Sequence, residues 1–217
     1  MDASVDDGAH PGPALRLRAD AARNRRSVIE AARRQVASGD LTLPMNTIAR
    51  EAGVGVGTVY RHFPTRQALL ESVAADAFQA LVEEAQKAAA EPDPARALEG
   101  LLRFAVRLLA TDPGCAALLA CPTFECPETL QMGSALGEAI SQVLDRARQA
   151  GLMRADITAD DLRRLMSGLD QALKSGSDDG SKVDTYLSVL MLGLRPRTED
   201  PPPARKSRRS STTRLAT

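Results

Sequence analysis

Three observations predict an all-α protein. Of the 217 residues 43% are hydrophobic, yet aromatics make up only 3% and Trp is absent. Ala and Leu dominate the apolar set, which favours helix over strand. Apolar side chains recur at three- and four-residue spacing over long stretches, and no convincing run alternates with period two. Breaks containing Gly or Pro separate these stretches, giving about nine helices.

Taken in order, residues 1–13 are polar and acidic and read as a disordered leader. A helix follows from about Leu15 to Ser38, carried by Val28, Ile29, Ala32 and Val36, and Gly39 stands where a left-handed stop is expected. Pro44 suits the start of a short helix with Met45, Ile48, Ala49 and Ala52 on one face, closed by Gly53. Gly55-Val56-Gly57 breaks the chain, and Thr58 is the expected N-cap of a second short helix through Phe63. After Pro64-Thr65 a long helix carries Leu69, Leu70, Val73, Ala77, Phe78, Leu81 and Val82, until Glu91-Pro92-Asp93-Pro94 ends it. The next stripe is Leu98, Leu101, Leu102, Ala105, Leu108 and Leu109, followed by an Asp112-Pro113-Gly114 turn and a short segment from Cys115 to Ala120. A helix from about Glu128 to Ala150 presents Met132, Leu136, Ile140, Val143 and Ala147 and stops at Gly151. Thr158 caps a helix carrying Leu162, Leu165, Met166, Leu169 and Leu173, with Asp160 and Asp161 favourable in its first turn. Residues 175–181 read as a Gly/Ser/Asp loop, and the last helix runs from Lys182 to Leu194 before Arg195-Pro196.

The formal charge is zero, 28 basic against 28 acidic, but it is unevenly spread. The leader carries −3 over residues 1–11; residues 12–70 carry ten Arg against four acids, net +6. Residues 71–194 carry −8, and the tail 195–217 carries +5. Such a division suits a module that meets a polyanion joined to one that does not, although a solvated basic face would look the same. No run of 18 apolar residues or charged-then-apolar leader occurs, which points away from a membrane span or signal peptide and toward a cytoplasmic protein. Cys115, Cys121 and Cys126 are odd in number, unlike a disulfide framework, and lack a C-x2-C hook for zinc. They read as small apolar core residues, with a thiol redox sensor as the alternative.

The stretch from Met45 to Phe63 joins two short helices through a glycine turn, the arrangement that lets a second helix enter the DNA major groove. Val59 and Phe63 can anchor that helix inward, leaving Thr58, Tyr60, Arg61 and His62 outward with hydroxyl, phenol, guanidinium and imidazole groups for phosphates or base edges. Gly55 and Gly57 allow close backbone approach to a duplex. Arg16, Arg18, Arg23, Arg25 and Arg26 form either a solvated face or an arm reaching phosphates or the minor groove. The tail residues Arg205, Lys206, Arg208 and Arg209 read as disordered with non-specific affinity, or as a second arm.

Arg23 to Phe78 resembles the DNA-binding domain of the TetR family of bacterial transcriptional regulators. The likeness rests on Ile48-Ala49, Ala52-Gly53-Val54, Gly57-Thr58-Val59-Tyr60-Arg61-His62-Phe63 and then Arg66 with Ala68-Leu69-Leu70. The ending Tyr186-Leu187 to Gly193-Leu194-Arg195-Pro196 is similar to regulators with an SbtR-like C-terminal domain. The resemblance implies a helix-turn-helix head over 14–71, a helical ligand-binding and dimerisation body over 72–196 and a basic tail over 197–217. It implies that Thr58, Tyr60 and His62 contact the DNA, that Arg66 holds a phosphate, and that Gly55, Val56 and Arg61 are variable reading positions. With Arg23, Arg25, Arg26, Asn46 and Gly57 these complete the candidate DNA-contacting set. Pro44 departs from the usual Ser or Thr cap, and Val36 from the usual Phe, which implies a thinner small core or one filled by a neighbour.

The resemblance further implies a repressor that binds a palindromic operator as a homodimer and is released by a small molecule. Its expected dimer surface is the last two long helices through Leu165, Leu169, Leu173, Leu187, Leu190, Met191 and Leu194, part of which must also serve the protomer's core. The expected ligand pocket draws on Leu101, Phe104, Leu108, Leu118, Phe124, Met132 and Ile140, and its composition suggests an apolar or amphipathic effector. No cofactor, metal or membrane partner is expected, nor an enzyme: no catalytic triad, metal motif or phosphate-binding loop is present. The rival is a helical ligand- or redox-sensing adaptor without sequence-specific DNA binding.

Overall fold

The computed structural model of the chain describes residues 13–175 and 182–196. These form α1 (Pro13–Ala37), α2 (Met45–Glu51), α3 (Val56–His62), α4 (Arg66–Ala90), α5 (Pro94–Thr111), α6 (Pro113–Ala120), α7 (Pro127–Gln149), α8 (Ala159–Ser175) and α9 (Val183–Leu194). No strand occurs among the described residues, so the all-α expectation holds. The leader through residue 12, the loop 176–181 and the tail 197–217 lie outside the described residues. No described helix is long and apolar enough to cross a membrane.

Local chemistry sets the helix ends. Gly39 and Gly53 close α1 and α2 at φ +88° and +68°, a left-handed conformation that costs other residues about 1–2 kcal/mol. Asp93 and Asp112 cap α5 and α6, each followed by Pro at the first helical position, and accept from the N–H groups of Ala95 (2.9 Å) and Cys115 (2.7 Å). Thr158 and Asp161 cap α8 reciprocally: the Asp161 N–H donates to the Thr158 hydroxyl (3.1 Å), and the Thr158 N–H to the Asp161 carboxylate (2.9 Å). The expected Thr58 cap is corrected. Gly55 caps α3, extended at φ −68° and ψ 143°, its carbonyl accepting from the N–H groups of Thr58 and Val59, and Thr58 lies inside the helix. Pro44 caps α2 without a side-chain bond. Just before it, Leu43 has φ +47° while its side chain is 1% exposed. Burying a leucine is worth about 1.5–3 kcal/mol, enough to offset that backbone cost.

Two apolar clusters result. Val28, Ala32, Val36, Ile48, Val59, Phe63, Leu69 and Val73 belong to one, drawn from α1 to α4. The other runs from Ala74 and Phe78 of α4 through α5, α6, α7 and α8 to Leu187 and Leu194 of α9. α4 therefore takes part in both. The space beside Val36 is filled by a neighbour. Gly114 of α6 lies against it, such that a methyl on Gly114 would stand 3.4 Å from the Val36 side chain, and Ala117 and Cys121 pack on the same cluster. At the far end of α4, Arg146 of α7 donates to the carbonyls of Ala89 (2.8 Å), Glu91 and Pro92 (2.9 Å), satisfying acceptors the helix leaves open.

Candidate nucleic-acid interface and effector cavity

α3 has only seven residues and is too short to persist alone. It is held by Val59 (0% exposed) and Phe63 (1%), which sink into the cluster formed by α1, α2 and α4. That anchoring turns Tyr60 (50% exposed) and Arg61 outward, with Thr58 and His62 half-buried beside them. Gly55, Val56 and Gly57 at the start of the helix are exposed, as are Asn46 on α2 and Arg66 at the first position of α4.

Gly57 has no internal reason to be glycine, whereas Gly55 is the N-cap of α3, a position that favours glycine over alanine. Neither takes a positive φ; a methyl on Gly57 would meet nothing within 4 Å, and one on Gly55 only the Thr58 hydroxyl at 3.9 Å. Glycine inside a helix costs about 0.5–1 kcal/mol relative to alanine, so the use of Gly57 suits something outside the chain.

The basic residues sort into two groups. Among the described residues no carboxylate pairs with Arg26, Arg61 or Arg66, all exposed. Arg23 pairs with Asp20 (3.2 Å), and Arg33 with Asp76 (3.1 Å). Arg25 lies with its guanidinium 5.2 Å from the Phe63 ring centre and donates to the Ser72 hydroxyl (3.3 Å). It thus braces α1 against α3 and α4, an internal role its place in a basic run does not reveal. In the body, by contrast, Arg103, Arg148, Arg163 and Arg164 all have carboxylate partners.

A cavity of about 350 Å³ opens between α4, α5, α7 and α8. Leu101, Phe124 and Ile140, three of the residues expected around a ligand, line it with Phe78, Leu136, Leu162 and Met166. Four expected residues do not. Leu118 is fully buried in the core. Phe104 and Leu108 face a separate groove, because α5 turns Leu101, Ala105 and Leu109 toward the cavity and these two away from it. Met132 lies in a groove with Arg25 and His62. Sequence reading missed the polar end of the cavity, Asp160, Arg163 and Ser167. There Arg163 bonds Asp160 (2.8 Å) and the Leu119 carbonyl (3.2 Å), so its charge is already met.

The profile described as "Bacterial regulatory proteins, tetR family" matches residues 28–73, and that of "Transcriptional regulator SbtR-like, C-terminal domain" matches 93–196. Together they span well over half of the sequence. The chain belongs to the TetR family. Among solved structures, a TetR regulator from Mycobacterium vanbaalenii is 36% identical over 83% of this chain and 99% of its own, with a TM-score of 0.42. A TetR regulator from Streptomyces coelicolor is 30% identical over 79% and 98%, with a TM-score of 0.48. RolR, solved with its ligand resorcinol, shares the fold at a TM-score of 0.54, with 23% identity over 82% of this chain and 91% of its own. A search of curated proteins gives no match.

In this TetR-family chain α8 and α9 expose part of the expected dimer surface and bury the rest. Leu187 and Leu194 are 3% and 2% exposed and belong to the protomer's core; the Leu194 carbonyl also accepts from the Arg154 N–H (2.9 Å). Leu169, Leu173, Leu190 and Met191 are partly buried against that core. Leu165 (46% exposed) remains open, as do Val189 (63%) and Leu192 (61%), which the sequence stripe omitted.

The three thiols are held protonated. Burial, then the Asp112 charge, pushes Cys115 up to about 12. Burial, then its bond to Glu71 and the nearby acids, pushes Cys126 up to about 11. Cys121 is raised by burial and then by Glu71. A thiolate is the reactive form; Cys115 is a buried core residue, while Cys121 and Cys126 are half-buried. Among the described residues no group of His, Cys, Asp or Glu converges on a metal position.

Glu71, only 1% exposed, was also missed. Its one signal in sequence is an acid inside the apolar run Leu69-Leu70-Glu71-Ser72-Val73. Its carboxylate accepts from the N–H groups of Glu125 (2.7 Å) and Cys126 (2.8 Å) and from the Gln67 amide (3.1 Å). Burial alone would raise its pKa, but these bonds and the Cys126 thiol outweigh it and hold the carboxyl below the ordinary glutamate range.

Proposed function

We propose that this TetR-family transcriptional regulator is a repressor that holds a palindromic operator as a homodimer and releases it when a small molecule fills the cavity. The observation that carries the reading is α3: two buried anchors fix a helix whose exposed residues include Tyr60, Arg61 and a glycine, Gly57, that no internal packing demands. Thr58, His62 and the exposed Asn46, Arg26 and Arg66 complete the proposed DNA-contacting set. Arg23, held by Asp20, contributes at its edge, while Arg25 acts by bracing. The head is residues 14–71, net positive; the body is 72–196, and its negative charge favours approach to DNA head-first.

Two heads must sit about 34–36 Å apart to read successive major grooves. The exposed Leu165, Val189 and Leu192 are apolar side chains on α8 and α9 that a two-fold dimer setting this distance would cover. The effector is neutral and apolar or amphipathic, since the lining is mainly aliphatic and aromatic and Arg163 is already neutralised. RolR, which has the same fold, was solved with a small ligand, resorcinol. Release requires only that the effector prefer the non-binding conformation by about a few kcal/mol.

Selection of bound sites from a random duplex pool tests the reading, followed by anisotropy titrations of the selected site over a range of salt. A two-fold symmetric site and a strong preference over scrambled duplex are expected. Weak, sequence-independent binding would favour the adaptor reading instead.

A further inference from the structure

The segment 123–126, between α6 and α7, touches both the cavity and the start of α4. Phe124 enters the cavity wall, its ring 5.5 Å from that of Phe78 on α4. The ring also lies against Gly133 of α7, another residue of the cavity wall: a methyl there would stand 2.5 Å from it, so it has no slack in that direction. The residues beside Phe124 are tied to α4. The Thr123 carbonyl accepts from the Gln67 amide (2.5 Å), the Thr65 hydroxyl donates to the Glu125 carboxylate, and the N–H groups of Glu125 and Cys126 donate to opposite oxygens of Glu71. Thr65 is also the N-cap of α4, and Pro64 alone separates it from Phe63, the buried anchor beside α3.

From this arrangement we propose that segment 123–126 is the relay between effector and operator, with Phe124 reading cavity occupancy and Glu71 the positioning residue that passes it to α4. The proposal rests on the ligand-released repressor reading above. Glu71 is buried and fully engaged, so separating the segment from α4 would strand a carboxylate and two amides away from water. The two therefore move together. A molecule pressing on Phe124 cannot drive the ring into Gly133; it shifts the segment, and with it Thr65, Glu71 and the seat of the reading helix. By linkage, bound DNA must in turn alter the surroundings of Phe124.

The chain has no Trp and two Tyr, so Phe124→Trp introduces a single tryptophan that can be excited apart from the tyrosines. In the full-length protein, adding the selected duplex is expected to shift its emission. The shift should largely vanish when Glu71→Gln is added, although anisotropy still reports bound duplex. N-phenyl-1-naphthylamine, a neutral apolar probe, should weaken duplex binding by about fivefold or more, and Glu71→Gln should bring that factor close to one. Should the larger ring or the Gln fail to fold by circular dichroism, amide exchange of peptide 121–127 in the unsubstituted protein, with and without duplex, reads the same coupling. Thr65→Val with Gln67→Leu then loosens the relay while leaving Glu71 in place. Bound duplex with no change at 121–127, or coupling that survives loss of these bonds, overturns the relay and leaves the regulator standing. Absence of any sequence-preferring binding overturns both.

Discussion

Arg61 lies between the anchors Val59 and Phe63, exposed and with no carboxylate partner among the described residues, so its guanidinium is available to a base edge. Arg61→Ala is expected to relax base preference at one operator position by about 1–3 kcal/mol, measured by anisotropy on single-base variants of the selected site. An equal loss on every sequence would make Arg61 a phosphate contact. Tyr60→Ala should weaken operator binding with melting temperature and dimerisation unchanged. Glu71 yields a prediction about pH. Its folded pKa lies below the ordinary value of 4.5, so the stability it contributes is fully present above that value and is lost as pH falls through the folded pKa. Below about pH 4.5 the melting temperature of the unsubstituted protein should therefore fall more steeply with acid than that of Glu71→Gln. Parallel acid profiles would show that the carboxylate is not held in its charged form.

Among the elements, α9 separates two kinds of leucine that its sequence does not. Leu187 packs into the body, whereas Val189 and Leu192 face outward. Leu192→Asp is expected to give a monomer by sedimentation with helical content intact, while Leu187→Asp should unfold the body by placing an unpaired charge in its core. A dimer that persists in both Leu192→Asp and Val189→Asp would move the interface elsewhere. The same limit explains the cavity. Periodicity placed a wide apolar stripe on α5, but both edges of such a stripe can be buried, and α4, α7 and α8 decide which edge faces the cavity. Leu101 therefore lines it and Phe104 does not.

Across the whole molecule, the zero net charge conceals a basic head on an acidic body; among the described residues the body's Arg103, Arg148, Arg163 and Arg164 meet carboxylates whereas Arg26, Arg61 and Arg66 do not. Operator affinity should fall steeply and linearly on a plot of log affinity against log salt. Arg66→Ala should reduce that slope by about one without changing sequence preference. An unchanged slope would remove Arg66 from the phosphate contacts.

The sequence by itself determined the helices, most of their ends and the buried and exposed sides of α3, because these depend on local chemistry: apolar spacing, Gly and Pro at breaks, and a compact motif whose anchors lie four residues apart. It could not decide that Arg25 packs on Phe63, that Gly114 of α6 fills the space beside Val36, or that Glu71 meets a segment 54 residues further along the chain. Those contacts join residues far apart in sequence, whose meeting depends on how complete helices pack. The head is legible because the face proposed to read DNA lies on one short helix. The cavity and its connection to the head exist only once α4, α5, α7 and α8 have assembled around them.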